Sequence, residues 1–214
     1  MIDYILEKVK INPSRRTYYS YGNYSDREDY YQNLFTERHP EAVLEVLQQK
    51  ENAPLSTRCS SIQFKNVRFG ASAREVQKQL GKPRYTIENP RIAQHEVHFY
   101  RFRVERLHSV ATLHFLTNRL CLASHTFRHL DRINYQQVLA ALSDKYGLEA
   151  SPDKTTVKDS QGNTVSITDG LYFVVQYVSG DPYFSEHITR HSAEHQRREQ
   201  LREAERLGSI SDFL

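Results

Sequence analysis

The sequence predicts an α+β fold: a tandem repeat of a helix plus an antiparallel sheet with helices on one face, flanked by N-terminal helices and a C-terminal helix. Three observations predict it. Apolar residues recur at helical spacing before residue 55 and after 185, whereas between them they mostly alternate with period two. Two capped amphipathic helices interrupt the alternating region. Those helices superpose on a shift of 62 residues, which places Ser72 on Asn134, Glu75 on Gln137, Val76 on Val138 and Leu80 on Leu142.

Residues 1–55 read as a helical segment. Ile2, Ile5, Leu6 and Val9 share a helical face that Pro13 ends. After a Tyr-rich loop, Ser25 and Glu28 form a capping box for a helix through Tyr30, Tyr31, Leu34 and Phe35. Pro40 suits the first turn of another helix, with Ala42, Val43, Val46 and Leu47 as its stripe.

Residues 56–184 form the repeat domain, divided as 56–127 and 128–184. IQFKNVRF alternates and reads as a strand through Ile62 and Phe64. Ser72 and Glu75 cap the next helix, which Gly81 and Pro83 terminate. Strands follow at RYTIE, HEVHFYRFRVERL, SVATLHFL and RLCLASHTF, the last two joined by a tight turn at Thr117-Asn118-Arg119. The second unit begins with a cap at Asn134 and Gln137, and its helix ends at Gly147. Strands TTVKDS, TVSITD and LYFVVQYV complete it, the most apolar of them expected at the centre of the sheet. Residues 185–214 read as a charged helix with a narrow docking stripe at Ile188, Ala193, Leu201, Ala204 and Leu207, then a short apolar end after Gly208.

Composition bounds the function. Apolar residues make up 38% of the 214, so the exterior is very polar. The formal charge of +3 is too small to indicate a nucleic-acid partner without a concentrated basic face. Cys59 and Cys121 read as reduced buried thiols. MIDYILEKVK lacks the apolar run of a signal peptide, and no stretch approaches a membrane span, so a soluble cytoplasmic protein is expected.

The pattern Gly70-x-Ser72-x-x-x-Val76-x-x-x-Leu80-Gly81-x-Pro83 resembles that of small α/β modules such as the lipoprotein of the outer-membrane barrel-assembly machine. Its tandem form is similar to the β-lactamase-inhibitor-protein fold, over roughly residues 60–183. The resemblance implies binding to other proteins through the open sheet face and loops. Lipid anchoring and periplasmic inhibition are not implied, because neither a lipobox cysteine nor a secretory signal accompanies the motif.

A phosphate cradle is excluded at Gly81-Lys82, which follows the helix and so lies at its negative end, with Pro83 where Ser or Thr is required. His187, His191 and His195 share a helical face at ligand spacing, yet one straight helix spreads three histidines beyond a single metal's reach. His95, His98, His108, His114, His125 and His129 are strand histidines that a metal-dependent enzyme could use, with Glu96 and Glu105 the nearest orienting carboxylates. Cys121 and His125 fall on one side of a regular strand but match no nucleophile motif. Tyr19 and Tyr21, set among Arg15, Arg16 and Arg27, offer stacking rings beside cations, the pattern of a single-stranded nucleic-acid binder. The leading expectation is a non-enzymatic protein–protein interaction module with no cofactor. Its sheet-face anchors are Tyr100, Arg101 and Arg103, residue types enriched at interface hot spots.

Overall fold

A computed structural model describes residues 30–31, 39–48, 53–56, 58–89, 91–104, 107–127, 130–148, 155–170 and 172–213. The fold is α+β. Among the described residues the elements run α1 (Pro40–Gln48), α2 (Ala73–Leu80), β1 (Tyr85–Glu88), β2 (His95–Val104), β3 (Leu107–Leu116), β4 (Arg119–Phe127), α3 (Arg132–Tyr146), β5 (Thr156–Lys158), β6 (Thr164–Asp169), β7 (Phe173–Val178) and α4 (Pro182–Phe213). The strands form one seven-stranded antiparallel sheet in the order β1-β2-β3-β4-β7-β6-β5. LYFVVQYV therefore lies beside the central strand β4 rather than at the centre itself.

Both faces of the sheet are covered in part. The reason is legible in β2, where apolar residues occupy both phases of the strand: Val97 and Phe99 on one side, Tyr100 and Phe102 on the other. On the second side α2 and α3 supply Val76, Leu80, Val138, Leu142 and Tyr146, which pack on Leu113, Phe115, Val175 and Tyr177. On the opposite side Val43 and Leu47 of α1 and Phe184 and Ile188 of α4 close over Leu116, Leu122 and Val178. Further along that side Tyr30 and Tyr31 cover Val97, Phe99 and Val110. Thus α2 and α3 pack on one face of the sheet, and α1 and α4 on the other.

Three local readings are corrected. IQFKNVRF is not a strand of the sheet. Lys65 and Asn66 take positive φ of 47° and 65°, and the segment folds into a tight turn that pairs Phe64 with Val67. Its apolar side chains still reach the core, since Ile62, Phe64 and Val67 are all buried. The cap of α3 is Asp131, whose carboxylate accepts the Asn134 amide at 2.8 Å, so the helix starts before the Asn134/Gln137 reading. The short apolar end expected after Gly208 is part of the helix, because α4 runs from Pro182 to Phe213. Within its expected docking stripe Ile188 is buried and Ala193 is exposed; the side chains of Leu201, Ala204 and Leu207 lie outside the described residues.

Two polar devices fix the connections. The buried Asp159 carboxylate accepts the Ile62 amide at 2.8 Å, the Gln161 and Asn163 amides at 2.9 Å and the Asn163 side chain at 3.0 Å. It ties the segment before α2 to the β5–β6 turn. Gly180, between β7 and α4, presses against that same turn. A Cβ there would collide with the Gln161 and Gly162 backbone and lie 2.8 Å from the Asn163 nitrogen. Arg119, at the start of β4, pairs with Asp181 at 3.0 Å and stacks over Tyr183 and Phe184, which docks the first turn of α4.

Candidate functional site

On the α1–α4 side the strand register lines side chains into rows across the sheet. The middle row reads Tyr85, Phe99, Thr112, Ser124, Gln176, Ser166, Thr156. Its first three members are buried or half-buried; Ser124, Gln176, Ser166 and Thr156 are half-buried and uncharged. The next row holds Arg101, Val110, Thr126, Val174 and Thr168, with Arg103 opposite His108 beyond it. A polar yet uncharged strip thus crosses β4, β7, β6 and β5. A fully solvated face would be expected to carry lysine and glutamate there.

The three expected sheet anchors separate. Tyr100 is only 3% exposed and belongs to the core beneath α2 and α3, so it is not a surface anchor. Period-two alternation puts it on the side opposite Arg101 and is silent on which of the two sides is covered. The Arg101 guanidinium lies 5.1 Å from the Tyr30 ring and 5.6 Å from the Tyr31 ring, a cation–π contact that turns it inward. Arg103 is exposed and faces His108. Tyr19 and Tyr21 lie outside the described residues.

The strand histidines divide between the two sides of the sheet. His95 and His114 sit together on the α1–α4 side. Arg91 donates its amide to Asn89 Oδ1 at 3.0 Å, which leaves the Asn89 amide nitrogen to donate to His95 Nδ1 at 3.0 Å. His95 Nε2 then carries the hydrogen and donates to His114 Nδ1 at 3.1 Å. Burial, with His114 beside it, holds the His95 pKa down to about 2, and burial holds His114 to about 3. Both are neutral at any ordinary pH.

On the other side His98 donates Nε2 to Glu96 Oε1 at 2.7 Å and packs its ring on Phe115. His125 is enclosed by Phe64, Phe102 and Tyr177, with Nδ1 3.1 Å from Ser109 Oγ. Burial first, and Lys65 second, bring its pKa to about 3.

Cys121 and His125 are not a pair. A bulge between His114 and Phe115 leaves Cys121 as an extra residue in β4 and reverses the alternation. Cys121 therefore packs with α1 and α4, while His125 packs on the other side. Cys59 and Cys121 are both free thiols, donating to the Ser61 and His114 carbonyls.

On α4 the His187 and His191 rings lie against each other at a tilt of 56°, with centroids 4.3 Å apart. Each already has another contact: His187 with the Ala93 carbonyl at 3.4 Å and His191 with Glu194 at 3.6 Å. The His195 side chain lies outside the described residues. Among the described residues, no three or more His, Cys, Asp or Glu side chains gather as a metal site. No described helix is long and apolar enough to cross a membrane.

Sequence reasoning did not single out Ser124, Gln176, Ser166, Thr156 or Asn89. The signal available was the recurrence of Ser, Thr and Gln at alternate positions of otherwise apolar strands, but without the register those positions did not form a row. Compared with known proteins, the chain finds no significant match among family models, curated proteins or solved structures.

Proposed function

We propose that this protein is a non-enzymatic protein–protein interaction module whose contact surface is the half-buried polar strip on the α1–α4 side of the sheet. The observation that carries this reading is the row Ser124, Gln176, Ser166 and Thr156, uncharged across four adjacent strands. The centre of a protein interface is depleted in charge and tolerates short polar side chains that hydrogen-bond to a partner. Arg103, exposed at the flank, supplies the kind of residue that anchors a rim.

The architecture is read here as two helix-plus-meander units. In support, α2 precedes the meander β1 to β4 and α3 precedes the meander β5 to β7, with the last strand of each side by side. The buried helix positions also keep the 62-residue shift, Val76 with Val138 and Leu80 with Leu142. A continuous sheet built this way is wide enough to offer one broad surface.

The test is site-specific photo-crosslinking in the source cell. A photoreactive residue at position 176 is expected to give one discrete adduct, competed away by excess unlabelled protein. The same residue at Asp144, exposed on α3, is expected to give none. Identical adduct patterns at both positions, or none at 176, would overturn the reading. Ser124→Glu places a charge inside the strip and is expected to reduce the adduct about tenfold, as burying an unpaired charge does.

A further inference from the structure

The α2–α3 side carries a line of polar residues that the interaction surface does not use. Glu96, His98 and Tyr100 stand at alternate positions of β2 and so project side by side. Glu96 is at the rim, with its side chain 40% exposed, whereas the His98 side chain is 1% exposed and Tyr100 3%. Thr86 and Glu88, opposite them on β1, are exposed, so the line begins near water and runs inward. His98 Nδ1 and the Tyr100 hydroxyl are both buried and have no hydrogen-bond partner among the described residues. Their ring centroids are 6.5 Å apart.

The donor and acceptor roles are fixed by the neighbours. Glu96 accepts from His98 Nε2, so that nitrogen carries a hydrogen, and the neutral tautomer this contact selects leaves Nδ1 as the acceptor. The Tyr100 hydroxyl can donate or accept. Each group is costly to bury unmet, and the two side chains are neighbours on one side of β2, with ring centroids 6.5 Å apart. A single occupant that donates to Nδ1 and accepts from the hydroxyl would satisfy both.

We propose that His98 Nδ1 and the Tyr100 hydroxyl jointly bind one small hydroxylic molecule, a water or the hydroxyl of an alcohol. The chemistry is selective. An anion without hydrogen offers nothing to Nδ1. A metal ion needs further ligands that the described residues do not gather there. A hydroxyl supplies one donor and one acceptor, which is the set the site lacks. The interaction-module reading is independent of this site, which lies on the other side of the sheet.

Nuclear magnetic resonance of the full chain tests the proposal directly. The His98 ring nitrogens are expected to show the Nε2–H form, with Nδ1 shifted from the position of a bare nitrogen toward that of a hydrogen-bond acceptor. A cross-relaxation peak from bulk-exchanging water to the Tyr100 ring assigns the occupant to water, and a saturable His98 shift on titration with methanol assigns it to an alcohol. A bare Nδ1 signal with neither response overturns the proposal. Stability gives a second arm. Tyr100→Phe is expected to lower the folding equilibrium constant about five- to tenfold, because a bridged hydroxyl is lost. In a His98→Phe background that loss should vanish, since the bridge is already broken. An orphan hydroxyl predicts the opposite sign, so a Tyr100→Phe protein as stable as the original, or more so, also overturns the proposal. Should the His98→Phe chain fail to fold, the resonance measurements on the unmodified protein decide.

Discussion

Single residues hold this fold at points where a small change has no room to relax. Gly180 packs against the β5–β6 turn so closely that a methyl group would collide with backbone rather than with a movable side chain. Gly180→Ala is expected to cost about 3 kcal/mol, read as a lowered denaturation midpoint at unchanged slope. Asp159 accepts four hydrogen bonds while buried. Asp159→Ala leaves those donors unmet and should cost at least about 3 kcal/mol in the same assay. Neither role was legible in the sequence. Asp-Ser-Gln-Gly-Asn announces a turn, but not that the turn receives the Ile62 amide from far away in the chain. Tyr100 was misjudged for a related reason: alternation assigns it a side of the strand and is silent on what covers that side.

At the scale of elements, the strands and the α2 cap were the most legible features. Ser72 and Glu75 form the predicted box, and RLCLASHTF and TVSITD are strands over the residues read from their alternation. Misreadings arose where two signals competed. IQFKNVRF alternates, but Lys65-Asn66 makes a turn that cuts the strand in two. The bulge in β4 reversed the side of Cys121, and a one-residue irregularity of that kind leaves no mark in composition. Asn134 and Gln137 mimic a capping box one turn inside the true start of α3. Asp131→Ala should therefore destabilise the protein by about 1 kcal/mol, whereas Asn134→Ala should cost markedly less. Equal losses in thermal denaturation would restore the sequence-based assignment.

For the whole molecule, acid is the weak side. His95, His114 and His125 are neutral when folded, with pKa values of about 2, 3 and 3, but protonate near 6.5 once unfolded. Their contribution is complete above pH 6.5 and is lost as pH falls, because the unfolded chain then binds protons that the folded one refuses. Three such groups give a loss of about 4 kcal/mol per pH unit between about pH 6 and 4. Denaturant titrations at stepped pH should show that slope, and His125→Gln should reduce it by about a third. The strand order has a kinetic consequence. Every neighbour pair except β4–β7 joins strands adjacent in the chain, so each meander can zip up by local closure, while the seam waits for two distant segments to meet. Until it closes, β4 and β7 are bare edges, and another copy of the chain can supply the missing neighbour to either. Refolding at high concentration should accordingly trap exchanged dimers that dilution releases slowly, while mixing already folded chains should yield none.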